Sequence, residues 1–127
     1  MTTVSVIEKP AVALVDVCAV SDLIINSGVC ALIDERQVAI FAIQTPSSEQ
    51  KEATLSVYAL SNWDPIGKAN VMYRGLLGSM QQQPMICSPL YKQHYSLLTG
   101  QCFEDESVHL DVYECVIADD KVWISVA

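Results

Sequence analysis

The sequence predicts an all-β domain, a sandwich or open barrel of short antiparallel strands. Three observations point there. Val, Ile and aromatic residues gather in short runs bounded by Asn, Asp, Gly, Pro and Ser, the pattern of strands and turns. No segment carries the sustained 3.6-residue apolar period of a long surface helix. Two pairs of runs are separated by so few residues that only hairpins can join them.

Taken in order, Ala11–Val20 is too apolar for a surface helix and reads as the first strand, preceded by a tail over residues 1–10. Ser21-Asp22-Leu23 opens a loop with one helical turn, ending at Asn26-Ser27-Gly28, where Asn and Gly tolerate positive φ. Val29–Ile33 and Gln37–Ile43 form a hairpin through Asp34-Glu35-Arg36. Gln44–Glu52 is polar, carries Pro46, and reads as an exposed loop. Thr54–Leu60 resumes strand alternation. Ser61–Gly78, with one Pro and three Gly, reads as a structured loop rather than a strand pair. Met85–Cys87 and His94–Leu97 are short strands on either side of Ser88-Pro89-Leu90-Tyr91. Tyr113–Ile117 and Lys121–Ser125 form a closing hairpin through Ala118-Asp119-Asp120. About nine short strands then make one domain over residues 11–127.

Composition narrows the class of function. The chain has 127 residues, long enough for one packed core. Its 15 acidic against 7 basic residues give a formal charge of −8, which repels phosphate backbones and anionic membranes, so neither nucleic acid nor membrane is an expected partner. The apolar runs are far shorter than the ~20 residues of a membrane helix. The first ten residues show no basic start followed by a long apolar run, so a cytoplasmic location is expected. Five cysteines without a C-x-x-C pair read as packed free thiols in a reducing compartment. No phosphate loop, dinucleotide fingerprint or nucleophile elbow is present, and no catalytic residue is assigned. His94 and His109 read as structural or exposed, and Asp64 and Asp105 as solvated carboxylates rather than an acid–base pair.

Two stretches carry more information. N-W-D-P-I-G-K-A-N-V-M-Y-R-G-L-L-G from Asn62 and S-P-L-Y-K-Q-H-Y-S-L-L-T-G-Q-C-F-E-D from Ser88 resemble the two cluster loops of a Rieske [2Fe-2S] domain. In that family one loop offers C-x-H and the other C-P-x-H, two thiolates holding one iron and two imidazoles the other. In the same register the four ligand positions are Asn62, Asp64, Ser88 and Tyr91. Amide, carboxylate, hydroxyl and phenol groups do not replace soft thiolates, so the resemblance implies a Rieske-like ferredoxin-type fold without ligands for a cluster or metal. Sliding the register to enlist Cys87 and His94 would leave the first loop with neither Cys nor His.

Those two stretches are similar, more narrowly, to the cluster-less small subunits of cytoplasmic NADH-dependent nitrite reductases. That resemblance implies a non-catalytic role and no cofactor on this chain. It also implies a large-subunit partner carrying FAD, an iron–sulfur cluster and sirohaem, which reduces nitrite to ammonium. Trp63, Lys68, Tyr73, Arg74, Tyr91 and Lys92 are residue types enriched at interface hot spots or flank them, and form the candidate docking surface. Alternatively, Trp63 and Tyr91 fill the space that a cluster would take. A free-standing Rieske-type electron carrier and an unrelated β-sandwich adaptor are the competing functions.

Overall fold

The computed structural model describes residues 14–45 and 54–125. The expected tail over 1–10 and most of the expected loop Gln44–Glu52 lie outside them. Eleven β segments are present: β1 (Val15–Ala19), β2 (Ser27–Ile33), β3 (Arg36–Thr45), β4 (Thr54–Ser61), β5 (Trp63–Asp64), β6 (Ala69–Asn70), β7 (Leu76–Met80), β8 (Gln83–Cys87), β9 (His94–Ser96), β10 (Val112–Ala118) and β11 (Lys121–Ser125). The helical content among the described residues is two 3-10 turns, Val20–Asp22 and Met72–Arg74.

Six strands form a nearly closed, barrel-like sheet in the order β1-β11-β10-β4-β3-β2, all pairs antiparallel. A smaller three-stranded sheet runs β7-β8-β9, and β5 pairs with β6 in a two-residue ladder. The all-β expectation holds. The segment Ser61–Gly78 differs from its expected form, because it contains the β5–β6 pair, a 3-10 turn and the start of β7. Gly75 and Gly78 hid β7 from a propensity reading, since glycine weakens a strand signal without forbidding a strand.

The three two-residue hairpin turns share a geometry. Asp34–Glu35, Gln81–Gln82 and Asp119–Asp120 all have positive φ at both residues, between 50° and 66°. That is the type I′ conformation, whose twist matches the strands it joins. Arg36 and Ala118, expected in the connections, therefore belong to strands. Glycine is absent from all three turns, which is why only the acidic pairs were legible as hairpins.

β3 explains where the core sits. Val38–Ala42 are buried on both faces of the strand. Val38 and Ile40 point into the barrel with Ala59, Val122, Ile124 and Ile33, while Ala39 and Phe41 point the other way. On that second face they meet Leu60, Met72, Ile86, Tyr95, Leu97, Cys102 and Leu110, which form the core beneath the small sheet. β3 and β4 are thus one wall between two cores. Burying each large aliphatic or aromatic side chain contributes about 1.5–3 kcal/mol, so both cores depend on this wall.

Gly100 closes the small lobe. Its φ is +80°, its N–H donates to Ser96 O at 2.8 Å, and a Cβ there would lie 2.0 Å from Leu110 O. Gly100→Ala is expected to destabilise the domain by at least about 2 kcal/mol through the clash and the left-handed backbone, read as a lower urea midpoint at unchanged slope.

Candidate functional site

The site is the pair of loops between β4 and β7 and between β8 and β9. Strand β4 delivers Asn62 directly from the wall, and this residue is fully buried. All of its hydrogen-bonding groups are engaged. Its N–H donates to Gln37 O (3.0 Å), its carbonyl accepts from Met72 N (3.1 Å), and its Oδ1 accepts from Tyr73 N (2.8 Å). Its Nδ2 donates to Gln37 Oε1 (3.1 Å) and lies 3.4 Å from Cys30 Sγ. Asn62 therefore stitches the first loop to β2, β3 and the Met72–Arg74 turn.

Asp64 is also fully buried, which corrects the expectation of a solvated carboxylate; Asp105 is exposed as expected. A buried carboxylate persists only when its lone pairs are matched by donors. Oδ1 accepts from the backbone N–H groups of Ile66 and Gly67, both at 2.9 Å, an Asx-type turn closed by Lys68 N to Asp64 O at 2.7 Å. Oδ2 accepts a short hydrogen bond from Ser88 Oγ of the second loop. Ser88 is buried too; its Oγ accepts from Leu90 N (3.2 Å) and its N–H donates to Gln93 O (2.8 Å). Beside this link Leu90 lies so close to Gly67 that a Cβ there would sit 2.5 Å from Leu90 Cδ1.

Three of the four degenerate ligand positions thus form buried hydrogen-bond networks, and two of them join the loops. The fourth, Tyr91, is 63% exposed, and Trp63 is 44% exposed. Neither fills the space between the loops. Asn62, Asp64, Ser88 and Leu90 occupy or cover it.

The other candidate residues divide in two. Trp63 and Lys68 sit on the first loop, Tyr91 and Lys92 on the second, and all four are exposed. Lys68 and Lys92 both have positive φ, 58° and 69°. Tyr73 and Arg74 form a stacked pair on the 3-10 turn, with Arg74 Nε donating to Tyr73 Oη (2.9 Å) and its guanidinium 5.4 Å from the ring centre. Tyr73 also packs on the small-lobe core, so its role is partly structural. Trp63 lines an open cleft of about 420 Å3 together with Gln37, Asn70, Asp111 and Tyr113.

Reading the sequence missed Gln37, Gly67, Leu90 and Tyr95. D-P-x-G was the available signal for the first loop, because an Asp two and three residues before free N–H groups builds an Asx turn. Tyr95 had no signal: it is fully buried between the lobes, and its Oη finds no hydrogen-bond partner among the described residues. Burial, and next the charge of Asp64, push its phenol well above the usual range, so it stays protonated.

The flanking groups offer no activated nucleophile. Burial raises the thiols of Cys30, Cys102 and Cys18, and pushes Cys115 up to about 12. His94 is tied to Glu104 by its backbone N–H (2.8 Å) and by Nδ1 (2.5 Å). Among the described residues no group of three or more His, Cys, Asp or Glu is placed to hold a metal.

The fold and the two joined loops define a Rieske-like [2Fe-2S] domain, and the model of that family matches residues 13–125. The nitrite reductase (NADH) small subunit of Escherichia coli K12 is 38% identical over 107 residues, 84% of this chain and 92% of that one. The solved structure of NirD from E. coli superposes with a TM-score of 0.72 at 34% identity, covering 89% of this chain and 96% of that one. A nitrite reductase [NAD(P)H] large subunit of Klebsiella oxytoca is 32% identical over 116 residues, 91% of this chain but 11% of that one. The chain belongs to the family of nitrite reductase (NADH) small subunits.

The cluster that the family name implies does not fit the residues present. An amide, a carboxylate, a hydroxyl and a phenol are hard donors, and the first three are already satisfied within the protein.

Two outcomes follow from this geometry. Tyr95→Phe removes an unpartnered buried hydroxyl, so thermal unfolding is expected to be unchanged or to shift upward, by up to about 1–3 kcal/mol. For Glu104, burial raises the carboxyl, but the N–H and imidazole of His94 outweigh it and hold the group below its ordinary value of 4.5. A depressed carboxylate stabilises the fold above its unfolded pKa and loses that contribution as pH falls through the folded value. Glu104→Gln is expected to flatten the acid limb of stability against pH below about 5, measured by thermal melts across that range.

Proposed function

We propose that this chain is the non-catalytic small subunit of an ammonia-forming NADH-dependent nitrite reductase, acting in nitrate assimilation in the cytoplasm. Its partner is a large subunit that carries FAD, an iron–sulfur cluster and sirohaem, and the chain itself binds no cofactor. The observation that carries this reading is the K. oxytoca relative, in which a segment similar to nearly all of this chain lies within a large-subunit polypeptide. Two units that work within one chain in one protein are expected to associate when they are encoded apart.

The site chemistry supports the non-catalytic part. Asn62, Asp64, Ser88 and Tyr91 supply no soft ligands for a redox cluster, so the chain's contribution is to bind the large subunit and stabilise a competent arrangement of it. Docking uses the joined loops, with Trp63 and Tyr91 as aromatic anchors, flanked by Lys68, Lys92 and the Tyr73–Arg74 pair. Aromatic and Arg side chains carry a disproportionate share of interface energy. A free-standing electron carrier would require soft ligands that these positions lack.

The test is NADH-dependent nitrite reduction by the large subunit, with and without this chain, and iron analysis of the chain alone. Activity is expected to rise on addition of an iron-free chain. Trp63→Ala and Tyr91→Ala are each expected to weaken association by about 2 kcal/mol, roughly thirtyfold in Kd. Stoichiometric iron on the isolated chain would overturn the reading.

A further inference from the structure

We propose that the Asp64–Ser88 hydrogen bond is a latch that presents the docking surface: it joins the two loops into one platform and positions Trp63, Leu90 and Tyr91 for the large subunit. This rests on the docking reading above.

The argument begins with where the loops come from. The first leaves the wall strand β4 and runs into β7, and the second leaves β8 of the small sheet; the β7–β8 ladder, through Leu76 and Cys87, joins only the end of the first loop to the root of the second and pairs none of residues 62–70 with residues 88–93. Two contacts bridge them: Ser88 Oγ donating to Asp64 Oδ2, and Leu90 against Gly67. Each bridging residue also organises its own loop. Asp64 orders residues 64–68 through the N–H groups of Ile66 and Gly67, and Ser88 orders residues 88–93 through Leu90 N and Gln93 O. The latch thus couples two turns, and each turn carries an exposed aromatic neighbour, Trp63 next to Asp64 and Tyr91 next to Leu90.

A buried carboxylate with three donors is costly to assemble and costly to leave half satisfied. Stability alone would be served as well by apolar residues of the same volume. What the hydrogen bond adds is a fixed relative position of two loops, and a platform fixed before binding saves the ordering cost that association otherwise carries. Asp64 and Ser88 are positioning residues, since both are fully buried and touch no partner themselves.

Ser88→Ala removes the link while leaving Asp64 its two backbone donors. Asp64→Asn keeps it with reversed polarity, because the amide Oδ1 still accepts from Ile66 and Gly67 and its Nδ2 can donate to Ser88 Oγ. The expected pattern is a cooperatively folded Ser88→Ala chain with at least tenfold weaker binding to the large subunit. Amide exchange at Ile66, Gly67 and Leu90 should be at least tenfold faster, and Asp64→Asn should stay within about threefold of the parent in both. Ser88→Ala binding like the parent, with Trp63→Ala weakened, would overturn the latch and leave docking intact. Parent-like binding by both Trp63→Ala and Tyr91→Ala would remove the docking surface and the latch's role with it. A loss in Asp64→Asn with parent-like binding by Ser88→Ala would point to the carboxylate's charge and also reject the link.

Discussion

The wall formed by β3 and β4 is the constraint on which the rest of the molecule depends. Alternate residues of one strand pair serve two cores: Val38, Ile40 and Ala59 fill the barrel, and Ala39, Phe41 and Leu60 support the small lobe. A one-residue slip of β3 against β4 would exchange every one of these faces at once. The same wall aims the site. Gln37 at the start of β3 holds Asn62 by main chain and side chain, so the first loop leaves β4 in a direction set by the barrel's register.

The second loop is aimed by a different core. Ile86 on β8 and Tyr95 on β9 are both fully buried against the wall's outer face, and Ser88–Gln93 is the excursion between them. Two loops that start from separate sheets converge because both sheets pack on one surface. In a cluster-bearing relative of this fold, coordination bonds would hold such loops together. Here hydrogen bonds from hard donors do so, each worth far less than a metal–thiolate bond, which is why they are found fully buried, where water does not compete.

Much of the fold was legible, and the reasons are local. The hairpins through Asp34–Glu35 and Asp119–Asp120 announced themselves because acidic pairs at a turn separate two β-branched runs. The hairpin through Gln81–Gln82 did not, because glutamine is no turn former and Gly78 and Pro84 dilute the strands on either side. The uninterrupted apolar run from Val38 to Ile43 marks a strand buried on both faces, a pattern that contains the two-core architecture in one line of sequence. The site was legible as a register and illegible as chemistry. Motif spacing identified Asn62, Asp64, Ser88 and Tyr91, but no spacing says whether an aspartate faces water or a serine across a loop. That depends on residues 24 positions apart being brought together by packing, which is tertiary information.

Exposure then sorts the four positions by what they do. Positions that face inward have become hydrogen-bonding groups, and the one that faces outward has become an aromatic. An exposed tyrosine next to a half-exposed leucine on one loop, with a half-exposed tryptophan on the other, is unfavourable for an isolated chain, because apolar area left in water stabilises nothing. The interior of the tip follows the demand for satisfied polar groups, whereas its exterior departs from what solubility alone would select. A formal charge of −8 offsets that departure, because like-charged molecules repel one another. The physical division between a satisfied interior and an unsatisfied exterior is what separates the scaffold of this tip from the surface proposed to dock.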